Sequence, residues 1–401
     1  MKIKQGKNAR ATRPNIIVYI ILGGIVSLYA KVFKKQQLHR SYTSIKPPFI
    51  LIGNHSSFFD FIYAIRAFYP RRINFVVARK YFHLCGLRQI MKISHSIPKS
   101  LFQNDLSAIR AMFDILKQEG IVGIYPEGQI AAHGISIQNS EAIAKFVKKA
   151  GVPLVSILTG GGYFCNPPWT KLQRRGAVKS SISIALTAAQ VENLGVNEIS
   201  SVIKQNIFMN NFQWQRANNE KYSGKNLAQG LENLLYICPC CKNEFTISTK
   251  GDYVFCENCS ASARFCEDGH LLWQNKNYFN HIGQWYLWQI EIENNNIMQS
   301  ENFSVSEPVI LAMLKLSGCG IEPVGQGVFT ADKKNYTYKG TLHGENVTLT
   351  FSSALRAMPY DTGSNFQIYD KNLLYEFRPA NPKFCVKIAN ICECLFNIAS
   401  T

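Results

Sequence analysis

Acidic side chains are almost missing from the first quarter of the chain. Residues 1–104 hold 18 lysines and arginines and a single acid, Asp60. The remainder carries 26 basic and 25 acidic residues, close to balance. An evenly spread solubilising charge is therefore excluded as the source of the net +18. The positive field belongs to the N-terminal quarter, where it draws polyanions: anionic lipid, nucleic acid or phosphorylated substrates. Long apolar runs are also scarce. The one candidate, residues 16–30 extended by Val32 and Phe33, is short against the roughly 20 residues of a spanning helix. Five basic residues precede it and Lys31, Lys34 and Lys35 follow. A secretory signal has similar parts, but no clear small-x-small cleavage site follows. Residues 1–45 therefore read as a basic, interfacial membrane anchor, with a short tilted transmembrane helix as the alternative. Positive charge on both flanks leaves its orientation open. Internal repeats and low-complexity tracts are absent, and 401 residues have room for two or three domains.

From residue 48 onward, short apolar runs alternate with amphipathic segments. PPFILIG (47–53), INFVVA (73–78), IVGIY (121–125), VPLVSIL (152–158) and SISIAL (181–186) read as strands. Helices are expected over Ser56–Tyr69, over Asp105–Glu119 with Asn104 as cap, over Ser140–Lys149 and within 189–215. This order predicts an α/β layer with a mostly parallel sheet over residues 46–215. In such sheets the functional site gathers at the carboxyl ends of the strands. Residues 216–228 read as a linker.

Two motifs fall at those strand ends. NHSSFFD (54–60) places His55 and Asp60 five positions apart, and YPEG (125–128) places Glu127 on a Pro/Gly turn. A histidine suits proton abstraction from a hydroxyl because its pKa lies near neutrality, and a nearby carboxylate fixes its tautomer. Ser56 or Ser57 can cap the helix that follows. An H-x4-D pair alone is a weak signal, more readily read as a capping or core histidine and a solvent-facing aspartate.

The set as a whole resembles the glycerolipid acyltransferase family of the lysophosphatidate type. NHSSFFD is similar to its first block, N-H-x-S-x-x-D, and YPEG to its third. VPLVSI is similar to the fourth block, and ARKYFHLCGLRQIMKISHSIPK covers the second. GGGYFCNPPWTKLQRRG (160–176) resembles a segment of bacterial members. The resemblance covers about residues 48–215 and implies that fold. It makes His55 the base and Asp60 its partner, with Asn54, Ser57, Glu127 and Gly128 at the acceptor. Lys99 stands where the second block usually ends in an acceptor-binding arginine. The third block departs from the pattern: Gln129 and Ile130 follow Gly128 in place of Thr-Arg, with His133 a little further on. The grip on phosphate then falls to Arg79, Lys80, Arg88, Arg174 or Arg175.

Four cysteines form two C-x-x-C pairs, Cys238/Cys241 and Cys256/Cys259. Two such knuckles suit tetrahedral zinc, and four thiolates leave no open position for catalysis. Residues 232–272 therefore read as a zinc ribbon with a structural ion. Cys240 and Cys266 are the alternative ligands, and a disulfide staple is the alternative chemistry. The ribbon itself is not basic, which argues against nucleic acid as its partner. Residues 275–401 combine an aromatic-rich segment (Trp285, Tyr286, Trp288) with alternating strands, then a helix-compatible stretch over 382–398. That order resembles pleckstrin-homology-like β-sandwiches.

The reading is a membrane-associated O-acyltransferase of phospholipid biosynthesis. It takes an acyl group from acyl-CoA or acyl-carrier protein to a lysophospholipid, 1-acyl-sn-glycerol 3-phosphate by the resemblance. It would work at the cytoplasmic membrane, facing the cytoplasm and anchored by residues 16–33, with anionic lipid as partner. The alternatives are a different lysolipid or glycolipid acceptor, or a non-catalytic zinc-ribbon scaffold that binds lipid.

Overall fold

The computed structural model describes residues 10–41, 44–103, 105–137, 141–315, 317–370 and 373–400. The Asn104 cap and the Ser140 helix start lie outside them. The chain packs as two units. Met1–Ile130, Ser136–Gly162 and Ala177–Met209 form the first, and Ala131–Ile135, Tyr163–Gly176 and Asn210–Thr401 form the second.

The first unit is built on seven strands: β1 (Gln37–Arg40), β2 (Phe49–Gly53), β3 (Ile73–Ala78), β4 (Ile97–Lys99), β5 (Ile121–Ile124), β6 (Leu154–Gly160) and β7 (Lys179–Leu186). Their order is β1-β7-β6-β2-β5-β3-β4, and every pairing is parallel except β6 with β7. β2 sits near the centre and all five of its residues are buried. A continuous apolar run is what a parallel strand covered on both faces requires. The edge strands β1 and β4 are short, and neither was expected from the sequence. QLHR has no apolar run, and IPK is cut by proline.

Helices cover the sheet. α1 (Ile16–Val32) is capped by the Asn15 side chain, which accepts from the amides of Ile17 and Val18. α2 is Asp60–Phe68 and α3 is Leu87–Ile93. α4 (Leu106–Lys117) is capped by Asp105, which accepts from the Ala108 amide, and it buries Met112, Ile115 and Leu116. α5 is Glu141–Ala150. α2 starts at Asp60 and not at Ser56, so residues 54–59 form an irregular turn at the end of β2. Neither serine caps α2 through its side chain.

α1 is apolar on all sides. Tyr19, Gly23 and Ala30 are buried, whereas Ile17, Ile21, Ile25, Leu28 and Phe33 are each more than half exposed. Tyr69 donates its hydroxyl to the Ile20 carbonyl and fixes the helix to the body of the unit. Among the described residues no helix is long and apolar enough to cross a membrane.

The second unit has two sheets. A small antiparallel one joins β8 (Ile247–Lys250), β9 (Tyr253–Cys256), β10 (Ser262–Phe265) and β11 (Leu271–Trp273). The other is one antiparallel sheet of seven strands: β12 (Ser304–Leu314), β13 (Ile321–Asp332), β14 (Asn335–Leu342), β15 (Glu345–Ser352), β16 (Tyr360–Asp361), β17 (Asn365–Asp370) and β18 (Leu373–Pro379). Its order is β15-β14-β13-β12-β18-β17-β16. The helix Phe384–Ser400 shares its core, where Phe329, Phe366, Phe377, Ile388 and Cys392 are fully buried. The aromatic-rich segment is the helix Ile282–Gln299.

Candidate active site

The end of β2 and the end of β5 meet at His55. Its Nδ1 lies 3.0 Å from Asp60 Oδ2. The same oxygen accepts from the backbone amides of Ser56 at 2.8 Å and Ser57 at 2.9 Å. Burial raises the Asp60 pKa, and the His55 ring and the two amides oppose that rise. Three donors converging on one oxygen favour the carboxylate form, since hydrogen bonds to the charged form stabilise it. The carboxylate therefore holds His55 in its Nδ1–H tautomer and leaves Nε2 as the basic nitrogen. His55 is 22 % exposed while Asp60 is only 3 % exposed. A solvent-facing aspartate is thereby excluded.

Two other motif residues hold this turn in place. Asn54 donates to the Thr159 carbonyl and to Ser56 Oγ, and accepts from the Thr159 amide at 2.8 Å, tying the end of β2 to β6. Ser57 Oγ accepts from the Phe59 amide. Glu127 is 2 % exposed. Its Oε1 accepts the His55 amide at 3.0 Å and the Ser136 hydroxyl at 3.4 Å, and its Oε2 accepts the Ile137 amide at 3.3 Å. Burial pushes its pKa up to about 8, against the pull of those donors. Glu127 thus shapes the site by fastening the His55 backbone to the 136–137 loop. Gly128 closes the turn, donating to the Tyr125 carbonyl at 3.1 Å with φ +76°. That left-handed conformation favours glycine.

The cations form a second cluster beside this turn. Phe102 lies 3.5 Å from where a side chain on Gly128 would begin. On the same loop Lys99 donates to the carbonyls of Gln103 and Ser100, and burial lowers its pKa. Arg79 donates to Asp105 at 2.9 Å and to Ser100 Oγ at 3.2 Å. Lys80 is buried, with its ammonium 5.3 Å from the Tyr81 ring centre. Sequence reasoning passed over Tyr125, whose ring stacks on His55. The available signal was its place one residue beyond β5, next to the PEG turn.

Residues 31–160 match the Acyltransferase family model. The match spans the His55–Asp60 turn, the Glu127 turn and strands β1 to β6 of the first unit. Among solved structures, the chain is similar to the 1-acyl-sn-glycerophosphate acyltransferase PlsC of Thermotoga maritima. Identity is 15% with a TM-score of 0.36, over 47% of this chain and 88% of that one. No protein with a curated description matches.

Beyond the matched residues, part of the 160–176 segment has another role. Tyr163–Gly176 packs in the second unit, where Tyr163, Phe164, Cys165 and Trp169 are buried. Arg174 is buried there between the Trp169 and Phe265 rings and donates to the Leu227 carbonyl. Its guanidinium belongs to that core, and burial lowers its pKa to about 10. It is therefore not a phosphate grip. His133 is also a core residue, stacked on Tyr286 with centroids 4.6 Å apart and its pKa lowered to about 4 by burial.

The four expected metal ligands do converge. The sulfurs of Cys238, Cys241, Cys256 and Cys259 all lie within 4.8 Å of one another. Cys238 to Cys259 is 3.6 Å and Cys241 to Cys256 is 3.8 Å. A tetrahedron with metal–sulfur bonds of about 2.3 Å has edges of about 3.8 Å, so the residues fit a four-thiolate ion. All four are free thiols, which removes the disulfide alternative. Cys240 is exposed and, like Cys266, stands outside the cluster.

Proposed function

We propose that the protein moves a fatty acyl group from a thioester, acyl-CoA or acyl-carrier protein, to the hydroxyl of a lysophospholipid, with 1-acyl-sn-glycerol 3-phosphate as the leading acceptor. His55 Nε2 takes the hydroxyl proton as the oxygen attacks the thioester carbonyl. Collapse of the tetrahedral adduct breaks the C–S bond, and the departing thiolate takes the proton from the imidazolium. Asp60 holds Nδ1–H and stabilises the imidazolium while it exists. The observation that carries this reading is the His55–Asp60 pair at a strand end within an acyltransferase domain. A base of this kind contributes about 10²–10⁴-fold in rate.

The exposed apolar side chains of α1 and the basic N-terminal quarter support work at an anionic membrane surface on the cytoplasmic side. The four cysteines would hold a structural zinc ion that fastens two loops, and no reaction step involves it. The deciding experiment offers acyl-CoA and acyl-carrier donors to purified protein, against lysophosphatidate, glycerol 3-phosphate and uncharged lysolipids. His55-dependent ester formation is expected, and its absence with every pair overturns the reading. A second reading, a lipid-binding scaffold, is favoured by one observation: neutral Gln129 and Ile130 follow the Glu127 turn. It predicts vesicle binding without turnover.

A further inference from the structure

Asp60 holds the His55 ring by its edge, and a second contact holds it by its face. The Tyr125 ring lies 4.8 Å from the His55 ring, centroid to centroid, with 23° between the planes. The other end of this stack is Phe75, whose ring is 6.3 Å from that of Tyr125 and within 7° of parallel. Tyr125 is itself confined. A side chain beginning at Gly53 would start 3.0 Å from Tyr125 Cε1, so the end of β2 leaves just enough room for the ring. Its hydroxyl is buried and, among the described residues, has no hydrogen-bond partner. The ring, and not the hydroxyl, is therefore what the site uses.

We propose that Tyr125 is a positioning residue for His55. It clamps the imidazole face so that Nε2 points at the reacting hydroxyl, and it places an electron-rich ring beside the imidazolium formed during transfer. One hydrogen bond along an edge still allows a ring to swing about that bond. A stacked neighbour removes this freedom, and a catalytic group must be held within a narrow angle to act. An aromatic face also attracts a cation, and more strongly away from water. This contact grows when the proton arrives, so it favours the transition state over the ground state. The proposal rests on the acyl-transfer reading given above.

The test compares wild type, Tyr125→Phe and Tyr125→Leu, with Tyr125→Met as a second non-aromatic variant should leucine disturb the strand end. Acyl-transfer kinetics and the rate of His55 carbethoxylation by diethyl pyrocarbonate, read by mass spectrometry, are measured on each folded variant. Phenylalanine is expected to keep kcat within about twofold, since it retains the ring and removes an unpaired buried hydroxyl. Leucine and methionine are expected to lower kcat about tenfold at unchanged KM and to speed His55 modification several-fold. Equal kcat in the leucine and wild-type proteins, or a phenylalanine variant as slow as leucine, overturns the clamp. Should wild type itself show no turnover, the acyl-transfer reading fails. The modification rates then decide alone, and equal rates in all variants overturn the clamp.

Discussion

His55 differs from an ordinary capping histidine in what its partner is bound to. Asp60 Oδ2 takes the ring and two backbone amides together, so the carboxylate is fixed before any substrate arrives. Asp60→Asn can keep the three contacts through its carbonyl oxygen, but it loses the negative charge that stabilises the imidazolium and puts an amide donor where the buried Oδ1 stands. We expect kcat to fall at least about 100-fold, with a lower melting temperature, as steady-state assay and thermal melting will show. Glu127 gives a pH-dependent prediction. Its folded pKa, about 8, is above its ordinary 4.5, so its stabilising contribution is full below about 4.5 and is lost as pH rises towards 8. Glu127→Gln lacks this titration. Its melting temperature relative to wild type should therefore rise steadily from pH 5 to pH 8, and a constant difference would contradict the burial argument. The type and spacing of His55 and Asp60 were readable from the sequence. That Glu127 grips the His55 backbone was not, because its partners at Ser136 and Ile137 come together only through the fold.

At the scale of elements, the buried strands announced themselves as apolar runs and the edges did not. INFVVA is β3 residue for residue, while QLHR and IPK carry no period that marks a strand. In the second unit, GVFTA, YTYKGTL, NVTLTF, NFQIYD and LLYEFRP all lie in strands. β12 carries no unbroken strand signal because Pro308 interrupts it, and its pairing on both sides with β13 and β18 outweighs that break. The YPEG turn depends on backbone conformation. Gly128→Ala should cost about 1–2 kcal/mol through its positive φ, since Phe102 leaves room for the added carbon. Chemical denaturation will measure this, and an unchanged stability would show that the turn adapts. For α1, replacing Ile21, Ile25 and Leu28 with aspartate should abolish co-sedimentation with anionic vesicles and leave the melting temperature nearly unchanged, because all three are exposed.

For the molecule as a whole, the sequence order of motifs is not the order of packing. Residues 160–176 read as part of the α/β domain, yet Tyr163–Gly176 belongs to the second unit, with Trp169 against Phe265 of β10. Contacts between segments a hundred residues apart leave no local pattern, so this exchange could not be read from spacing. The cysteine cluster could, because each C-x-x-C turn presents its own pair of sulfurs. Metal analysis should find about one zinc per chain, and Cys256→Ser should lower both zinc content and the melting temperature. Whether His55 is the base of an acyl transfer is decided by the rate of ester formation by purified wild-type and His55→Ala proteins with an acyl-CoA or acyl-carrier donor and a lysolipid acceptor. Turnover by wild type is expected, with a loss of at least about 100-fold in the variant and its fold intact. Equal turnover by the two proteins would contradict this role for His55.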